Sequence, residues 1–355
     1  MSSRKNISNT LKIGHLKISN DSKCMIIAEL SGNHSRKINN VFKAIDIVKK
    51  SRADGIKIQS YEPGTITLNS KNKYFYINDK SIWKGKYLYQ LYKSTYTPFT
   101  WHEKIFKYAK KKKLLCFSSP FDKSAVDLLE KCNCPCYKIA SPEITDLKLI
   151  DYIAKKNKPI IISTGIADEK DIKLAINQCL KNKNSKITLL NCISSYPASD
   201  NELNLNYIKK LKKFVNIVGY SDHSKDDLAC LISVALGAKI VEKHFKINDK
   251  TLTPDSSFSM AASQFKNLVI KIRRLEKMLG SEDIYKKKIL KHKLKTVTRS
   301  LFFVKDLKKG DIISAENVRS VRPGSGLSPQ KYFKILGKKI KKNAKKNTPV
   351  KKEYF

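Results

Sequence analysis

The chain has 355 residues, 41% of them hydrophobic, and a formal net charge of +41. This length exceeds one small domain and fits a barrel of roughly 250 residues followed by a smaller unit. Its longest apolar runs, at 159–162 and 228–236, fall short of the ~20 residues that a membrane span needs. Residues 1–20 are polar and basic and lack the apolar core of a secretory signal. We therefore expect a cytoplasmic protein without membrane contact.

The excess of basic residues raises the question of a polyanionic partner, since 72 Lys and Arg stand against 31 Asp and Glu. Nucleic-acid binders concentrate such charge in one patch or stripe. Here the lysines are spread over nearly every predicted helix and are mixed with asparagines. Nucleic acid is therefore not an expected partner, and a non-catalytic polyanion-binding protein stays a distant alternative.

The eight cysteines do not resemble a disulfide framework, because several lie in apolar runs where a free thiol packs as a small hydrophobe. Cys132, Cys134 and Cys136 form a cluster without the two-residue spacing or the second ligand pair of structural zinc sites. Structural zinc is not expected there.

Short apolar runs alternate with longer amphipathic stretches between residues 25 and 245. The runs are apolar on consecutive residues, which is typical of parallel strands buried on both faces. Helical spacing of apolar residues marks segments such as 41–51 and 168–180, the second with Asp168 as its N-cap. Eight strands are predicted at residues 25–30, 55–60, 114–119, 137–141, 159–164, 187–193, 217–223 and 239–245.

Eight strands that are each followed by a crossover predict the fold class α/β and a (β/α)8 TIM barrel. An open doubly wound sheet is the rival, but no Gly-x-Gly-x-x-Gly follows the first strand. The predicted domains are a barrel at 1–284, a basic linker at 285–295 and a small β-rich domain at 296–355. Residues 64–101 interrupt the repeat and are expected to form a loop or lid over one end of the barrel.

Polar side chains follow or end every predicted barrel strand. In such barrels the C-terminal ends of the strands face the active site, and ordinary packing needs nothing polar there. One strand end of this kind is unremarkable, but eight predict an active site at this mouth. The residues are Glu29, Ser31, Asn33, His34, Lys57, Gln59, Ser118, Ser119, Lys138, Ser141, Glu143, Ser163, Thr164, Ser194, Ser195, Tyr196, Ser221, Asp222, His223, Glu242, Lys243 and His244.

His223 and His244 end two neighbouring strands, which lie about 4.8 Å apart, so their imidazoles can share a divalent cation. Two hydrogen-bonded histidines near a loop are an equally good interpretation. Glu29, on the strand next to that of His244 in a closed barrel, could be a third ligand or could hold a ligand water. Imidazole with carboxylate and water suits Mn²⁺ or another borderline first-row metal.

Lysines and hydroxyls at the same mouth suit a phosphate and a carboxylate, because lysine supplies point charge and hydroxyls supply short hydrogen bonds. These residues are Lys57, Lys138, Ser118, Ser163 and Ser221. Glu143 could hydrogen-bond a hydroxyl or amide of a second substrate. Lys57 could also be a lysine that only extends its charge to solvent.

The motifs resemble the sialic acid (nonulosonic acid) synthase family over about residues 20 to 345, in order along the chain. The small domain is similar to the antifreeze-like (SAF) domain of these synthases, which has the β-clip fold. The matching motifs are Ala28-Glu-Leu-Ser-Gly-Asn-His34, Lys57-Ile-Gln59, Tyr137-Lys-Ile-Ala-Ser141, Ser163-Thr-Gly165, Ser221-Asp-His223, Glu242-Lys-His-Phe245, Pro254-Asp255 and Arg322-Pro-Gly324 with Gly326.

The resemblance implies a metal-dependent condensation of phosphoenolpyruvate with an N-acetylated amino sugar. Mn²⁺, with Mg²⁺ or Co²⁺ as alternatives, would be held by His223 and His244, and Glu29 would stabilise an oxocarbenium-like carbon. Phosphoenolpyruvate would be bound by Lys57, Lys138, Ser118, Ser141, Ser163, Ser194 and Ser221. The acceptor sugar would be oriented by Gln59, Glu143, Tyr196 and Asp255. Arg322 of the partner subunit would complete the site, which implies a domain-swapped homodimer.

The aromatic stretch that begins at Trp83 and the serine after Asp255 are similar to one branch of this family. The acceptor in that branch is a 2,4-diacetamido-2,4,6-trideoxy-altrose. N-acetylmannosamine or a 2,4-diacetamido sugar of other stereochemistry, as in neuraminate or legionaminate synthases, stays the alternative acceptor. Thr253 departs from the family's usual glycine.

Overall fold

A computed structural model describes residues 4–79, 81–280 and 294–355 of the chain. The chain divides into two compact units, Met1–Leu279 and Gly280–Phe355. Most of the basic linker expected at 285–295 lies outside the described residues.

The first unit contains a closed barrel of eight parallel strands, which confirms the predicted (β/α)8 fold. Closure follows from the last strand, which pairs with both the first and the seventh strand of the barrel. Each observed strand overlaps its predicted run. The barrel strands are β3 (Met25–Glu29), β4 (Gly55–Ser60), β5 (Leu115–Pro120), β6 (Tyr137–Ile139), β7 (Ile160–Ser163), β8 (Ile187–Asn191), β9 (Val218–Asp222) and β10 (Ile240–Lys246).

The helices pack around this sheet with the spacing that the sequence predicts. Val41, Ala44, Ile45 and Val48 of α1 are all buried. Asp168 caps its helix by accepting hydrogen bonds from the backbone nitrogens of residues 170 and 171. The helices of this unit are α1 (Ile38–Lys50), α2 (Pro63–Ile66), α3 (Leu88–Thr95), α4 (Phe99–Lys111), α5 (Lys123–Lys131), α6 (Leu147–Ala154), α7 (Glu169–Lys181), α8 (Tyr207–Leu211), α9 (Leu228–Ala235) and α10 (Ala262–Leu279).

A hairpin that the sequence did not predict covers the N-terminal end of the barrel. Its strands, β1 (Leu11–Ile13) and β2 (Leu16–Ile18), are antiparallel, and their apolar side chains join the core that contains Met25 and Leu115. Gly14 forms the turn at φ +58°, and a side chain there would approach Leu115 Cδ1 to 3.0 Å. Two three-residue strands in a lysine-rich segment carry too little alternation to be recognised as β structure.

The second unit is small and β-rich. Its strands β11 (Ser300–Phe303) and β12 (Val318–Val321) are antiparallel, and a one-turn helix, α11 (Tyr332–Ile335), follows them. The predicted β run at 312–313 makes only a bridge from Ile312 to Lys339. The predicted turn at Gly310 is present, with φ +97°. The core is formed by Leu301, Phe303, Ile313, Val318, Ile335, Ile340, Ala344 and Val350.

None of the helices in the described parts of the chain is long and apolar enough to cross a membrane. The 18-residue α10 has the length for it but carries six charged residues, among them Lys266, Lys271 and Lys277.

Candidate active site

A cavity of about 960 Å³ opens at the C-terminal ends of the barrel strands, as the polar strand ends predict. Its volume is typical of a site for small molecules, which span roughly 300–1,000 Å³. Of the residues to which the sequence assigns a substrate or metal role, all except Ser118 and Arg322 line it. These residues are Glu29, Lys57, Gln59, Lys138, Ser141, Glu143, Ser163, Ser194, Tyr196, Ser221, His223, His244 and Asp255.

The structure does not place Ser118 among the residues that line the cavity. Successive side chains of a strand point to opposite faces, and Ser118 pairs in register with Ile58 rather than with Gln59. Its hydroxyl lies behind the cavity, where it contacts the Ser60 hydroxyl at 2.6 Å and donates to the Ile58 carbonyl at 2.9 Å. The serine of this strand that lines the cavity is Ser119, which also lies 3.3 Å from the Lys57 ammonium.

Four charged side chains meet at the floor of the cavity around the carboxylate of Glu242. Glu242 Oε1 lies 3.0 Å from Lys57 Nζ and 3.1 Å from Lys138 Nζ, and it accepts a hydrogen bond of 3.0 Å from the Ser221 hydroxyl. Glu29 Oε2 lies 3.2 Å from Lys57 Nζ. All four charged side chains are buried. Glu242 therefore holds together the two lysines that the sequence assigns to an anionic substrate.

Burial and mutual charge set the protonation of this group. Burial opposes every charged form, but the two lysines hold the pKa of Glu242 well below its usual range. The carboxylates likewise outweigh burial at Lys57 and raise its pKa, whereas burial prevails at Lys138 and lowers its pKa. Burial also raises the pKa of Glu29, beyond what Lys57 can offset. Glu29 is therefore the carboxyl of the group that takes up a proton most readily.

Hydroxyls and a backbone amide lie together beside Lys138. The Ser194 hydroxyl donates to that of Ser141 at 3.0 Å, which also accepts from the Ile166 amide at 2.9 Å. Among the described residues the buried hydroxyl of Ser163 has no partner. A side chain at Gly165 would come within 2.6 Å of Ser194 Oγ, so only glycine lets the backbone approach this cluster. Donors of this kind suit the oxygens of a phosphate.

His223 and His244 lie at the rim with ring centroids 5.3 Å apart. His223 Nδ1 is 2.5 Å from the Ile193 carbonyl, which can only accept, so Nδ1 carries the proton and Nε2 keeps its lone pair. His244 Nδ1 is buried and has no hydrogen-bond partner in the described part of the chain. Burial lowers the pKa of His223 to about 4 and lowers that of His244 as well.

Neutral imidazoles with free lone pairs are the form that binds metals, so this pair fits a divalent cation. The interpretation of Glu29 as a third ligand is not met, because its carboxylate is turned to Lys57. Over residues 4–79, 81–280 and 294–355, no three His, Cys, Asp or Glu side chains are grouped as a metal cluster. The two imidazoles would therefore be the protein's share of the ligands, with substrate or water oxygens as the others.

The segment predicted as a lid lines the outer half of the cavity, from Ile66 on α2 to Thr95 on α3. Trp83 lies at its centre and donates from Nε1 to the Pro254 carbonyl at 3.0 Å. Its ring contacts Tyr196 at a centroid distance of 5.5 Å, and Tyr196 in turn packs on His223 at 4.3 Å. The lid thus gives the cavity an aromatic wall directly beside the histidines. Chain position alone could not identify this wall, because the segment has no strand periodicity.

A loop after β10 contributes Asp255 to the lining of the cavity. Asp255 accepts a hydrogen bond of 3.1 Å from the Gly32 amide. The Thr253 hydroxyl donates to the Asn33 side chain at 2.5 Å, so the residue that departs from the family's pattern is anchored to the loop after β3. Arg322 belongs to the second unit, where it follows β12 and is exposed. The contact of Arg322 with an acceptor sugar in the barrel of the partner subunit stays a prediction.

Glu143 lies in the turn Ser141–Thr145 after β6, and its Oε2 is buried without a partner among the described residues. Burial raises the pKa of Glu143 from 4.5 to about 7, although Lys138 and Lys57 act in the opposite direction. At neutral pH this carboxyl is poised between a form that donates a hydrogen bond and one that only accepts.

We expect Glu143→Gln to change how stability depends on pH. Because the folded chain binds this proton more tightly than the unfolded one, the stabilisation is complete below pH 4.5 and is lost as the pH rises through about 7. Above that pH the variant should be the more stable protein, by about 1–3 kcal/mol. Thermal midpoints measured across this range test it, with Glu103→Gln, an exposed carboxylate paired to Lys107, as the control. A parallel pH response of wild type and Glu143→Gln would contradict the assignment.

The comparisons with known proteins agree with this geometry. Residues 44–284 match the NeuB family, and residues 298–354 match the SAF domain. The chain belongs to the NeuB family. This confirms the family resemblance of the motifs and the assignment of the small C-terminal domain.

Relatives in the NeuB family cover nearly the whole chain. Pseudaminic acid synthase of Helicobacter pylori is 42% identical over 92% of this chain and 96% of its own length. N,N'-diacetyllegionaminic acid synthase of Campylobacter jejuni is 36% identical over 92% and 98%. The crystal structure of N-acetylneuraminic acid (sialic acid) synthetase from Leptospira borgpetersenii, in complex with citrate, matches with a TM-score of 0.71 at 28% identity, over 81% of this chain and 97% of that one.

Proposed function

We propose that this chain is a pseudaminic acid synthase, which condenses phosphoenolpyruvate and 2,4-diacetamido-2,4,6-trideoxy-β-L-altropyranose with water to give pseudaminic acid and phosphate. The observation that carries the proposal is the cavity in which two ion-paired lysines and a cluster of serine hydroxyls lie together with two neutral histidines. The acceptor is argued from similarity, since identity to the pseudaminic acid synthase of Helicobacter pylori exceeds that to the legionaminic acid synthase.

Phosphoenolpyruvate is a small trianion, and the floor of the cavity supplies matching charge. Lys57 and Lys138 would hold its carboxylate and phosphate as point charges, while Ser141, Ser163 and Ser194 would donate to the remaining oxygens. Both ammonium groups are already fixed by Glu242, so little ordering is required when the substrate binds. This half of the site positions the nucleophilic carbon C3.

The acceptor aldehyde would lie between the two histidines and the aromatic wall. A divalent cation, Mn²⁺ in our proposal, would be held by His223 and His244 and would supply Lewis-acid polarisation of the aldehyde oxygen. Gln59, Glu143, Tyr196 and Asp255 would orient the hydroxyl and acetamido groups of the sugar. Trp83 and Tyr196 offer apolar surface to its acetyl methyls and its C6 methyl.

The reaction then follows from the placement of these groups. The C2=C3 π electrons of phosphoenolpyruvate form a C–C bond to the aldehyde carbon while the π bond of the aldehyde opens, which leaves electron deficiency at C2. Glu29, which lies 3.2 Å from Lys57 and lines the cavity, would stabilise that centre as a carboxylate. The aldehyde oxygen becomes a hydroxyl by taking up the proton that water gives up when it adds to C2. Water adds to C2, and the C–O bond to phosphate then breaks, so phosphate leaves with its bridging oxygen.

We also propose that the enzyme acts as a domain-swapped homodimer, in which Arg322 of the partner subunit reaches the acceptor. The match of residues 298–354 to the SAF domain supports this arrangement. The guanidinium suits a bidentate contact with an amide or hydroxyl of the sugar.

The first experiment measures phosphate release from phosphoenolpyruvate with Mn²⁺ and either the altrose derivative or N-acetylmannosamine. We expect release only with the altrose derivative. Release only with N-acetylmannosamine would keep the reaction and replace the acceptor. Release with neither sugar, from folded and metal-loaded protein, would contradict the proposed function, and the salt dependence of polyanion binding would then be measured.

A further inference from the structure

A buried ion pair lies behind the two histidines, on the side of the barrel wall that faces the helices. Asp222 of β9 and Lys243 of β10 are direct partners in register, and Lys243 Nζ lies 2.6 Å from Asp222 Oδ2. Both side chains are fully buried. Each of these residues immediately precedes a histidine of the site, so neither side chain lines the cavity.

The ammonium of Lys243 holds the chain on both sides of His223. Besides the Asp222 carboxylate it donates to the Ser224 carbonyl at 2.6 Å and to the Asp226 carbonyl at 2.8 Å. These three contacts use the three donors of a lysine. Lys243 directly precedes His244 in the chain. Its ammonium therefore links the backbone at His244 to the loop that follows His223.

The carboxylate of Asp222 secures the same loop from the other direction. It accepts from the Ser224 amide at 2.9 Å and from the Ser224 hydroxyl at 3.0 Å. It also accepts from the Cys230 thiol at 3.1 Å, which fixes it to helix α9. The Asp222 side chain thus closes the turn after His223, and the Lys243 side chain holds that turn to β10.

A buried ion pair gives little net stability, because apolar side chains of similar volume often serve as well. The contacts of this pair are instead concentrated on the few residues around His223 and His244, whose ring centroids lie 5.3 Å apart. A metal shared by two imidazoles requires their separation and orientation to be fixed, and groups behind the ligands commonly do this.

We propose that Asp222 and Lys243 are positioning residues that fix the spacing of His223 and His244 for a shared divalent cation. The inference rests on the metal site of the proposed function. Neither side chain lines the cavity, and the ion pair contributes no net charge to the site. Its effect is therefore geometric.

The test is the double variant Asp222→Leu with Lys243→Met, since either single change would leave a buried charge unpaired. Both charges disappear together, so the net charge of the barrel does not change. We expect the Kd for Mn²⁺, followed by the paramagnetic resonance of the free ion in the absence of substrates, to rise about 10–100-fold. The thermal midpoint of the metal-free variant should stay within a few degrees of wild type.

The matched control removes another ion pair at the opposite end of the barrel. Asp54 and Arg273 lie 2.6 Å apart, and Asp54 accepts from the Ile26 amide near the start of β3. Asp54→Leu with Arg273→Met should lower the thermal midpoint and leave the Kd for Mn²⁺ unchanged. A similar rise of the Kd in both double variants would overturn the proposal, because it would then reflect general loosening of the barrel.

A milder variant, Asp222→Asn with Lys243→Gln, keeps hydrogen-bonding groups in place and should bind Mn²⁺ with intermediate affinity. This variant tests the positioning role if Asp222→Leu with Lys243→Met fails to fold. Wild-type affinity in a folded variant of either kind would overturn the positioning role while leaving the metal site intact. Absence of Mn²⁺ binding by wild type would instead refute the metal site and this inference with it.

Discussion

Replacing Glu242 by glutamine is expected to remove nearly all turnover and to destabilise the barrel, although glutamine has the same size and can still accept a hydrogen bond. The carboxylate lies 3.0 Å from Lys57 and 3.1 Å from Lys138, and all three groups are buried. Without it the two ammonium groups repel each other, and Lys138, whose pKa burial already lowers, loses its counter-ion. Breaking a buried pair in this way costs about 3–5 kcal/mol.

The kinetic signature distinguishes this role from simple loss of stability. Because the lysines would no longer be held in place for an anion, we expect kcat/KM for phosphoenolpyruvate to fall about 100-fold or more. The KM for the acceptor sugar should change much less. Glu276→Gln is the matched control, since Glu276 pairs with Arg273 and accepts from the Cys24 amide at the other end of the barrel. Wild-type kinetics in Glu242→Gln would show that the lysines do not depend on this carboxylate.

The polar ends of the strands made most of this site predictable. Parallel strands of a closed barrel present their C-terminal ends at one mouth, so the order of Glu29, Lys57, Lys138, His223 and His244 along the chain translates directly into proximity. Lys57 and Lys138, which the sequence assigns to one anionic substrate, line the same cavity. The sequence does not identify Glu242 as their common counter-ion. Its motif at residues 242–245 is interpreted through His244, and ion pairing between distant strands leaves no local pattern in the sequence.

The sequence could not show which residues of each strand point into the barrel and which point toward the helices. A run that is apolar on both faces does not reveal which residues point inward, so Ser118 and Ser119 are equivalent in the sequence and opposite in the structure. The register of β5 against β4 decides between them. The same limit applies to Asp222 and Lys243, which stand beside the histidines in the chain but face away from the cavity.

The His244→Ala variant should fold and yet lose both Mn²⁺ binding and turnover. Its imidazole is neutral and buried, and its Nδ1 has no partner among the residues described, so no internal hydrogen bond is lost. With one of the two proposed protein ligands gone, we expect the Kd for Mn²⁺ to rise at least about 100-fold and phosphate release to fall to background. His102→Gln is the control, because His102 is equally buried but contacts Ser60 behind the sheet. Turnover by wild type in a strong chelator would contradict the metal assignment.

The same variant also tests the proposed dimer when it is mixed with Arg322→Ala. In a domain-swapped pair the barrel of the Arg322→Ala subunit would keep both histidines and would receive Arg322 of the partner subunit from the His244→Ala chain. Co-expression of two inactive chains should therefore restore activity at about a quarter of the sites, because half of the dimers are mixed and each has one complete site. Each variant refolded alone must stay inactive. If the mixture is as inactive as its components, Arg322 acts within its own subunit or outside the site, and the swapped arrangement is wrong.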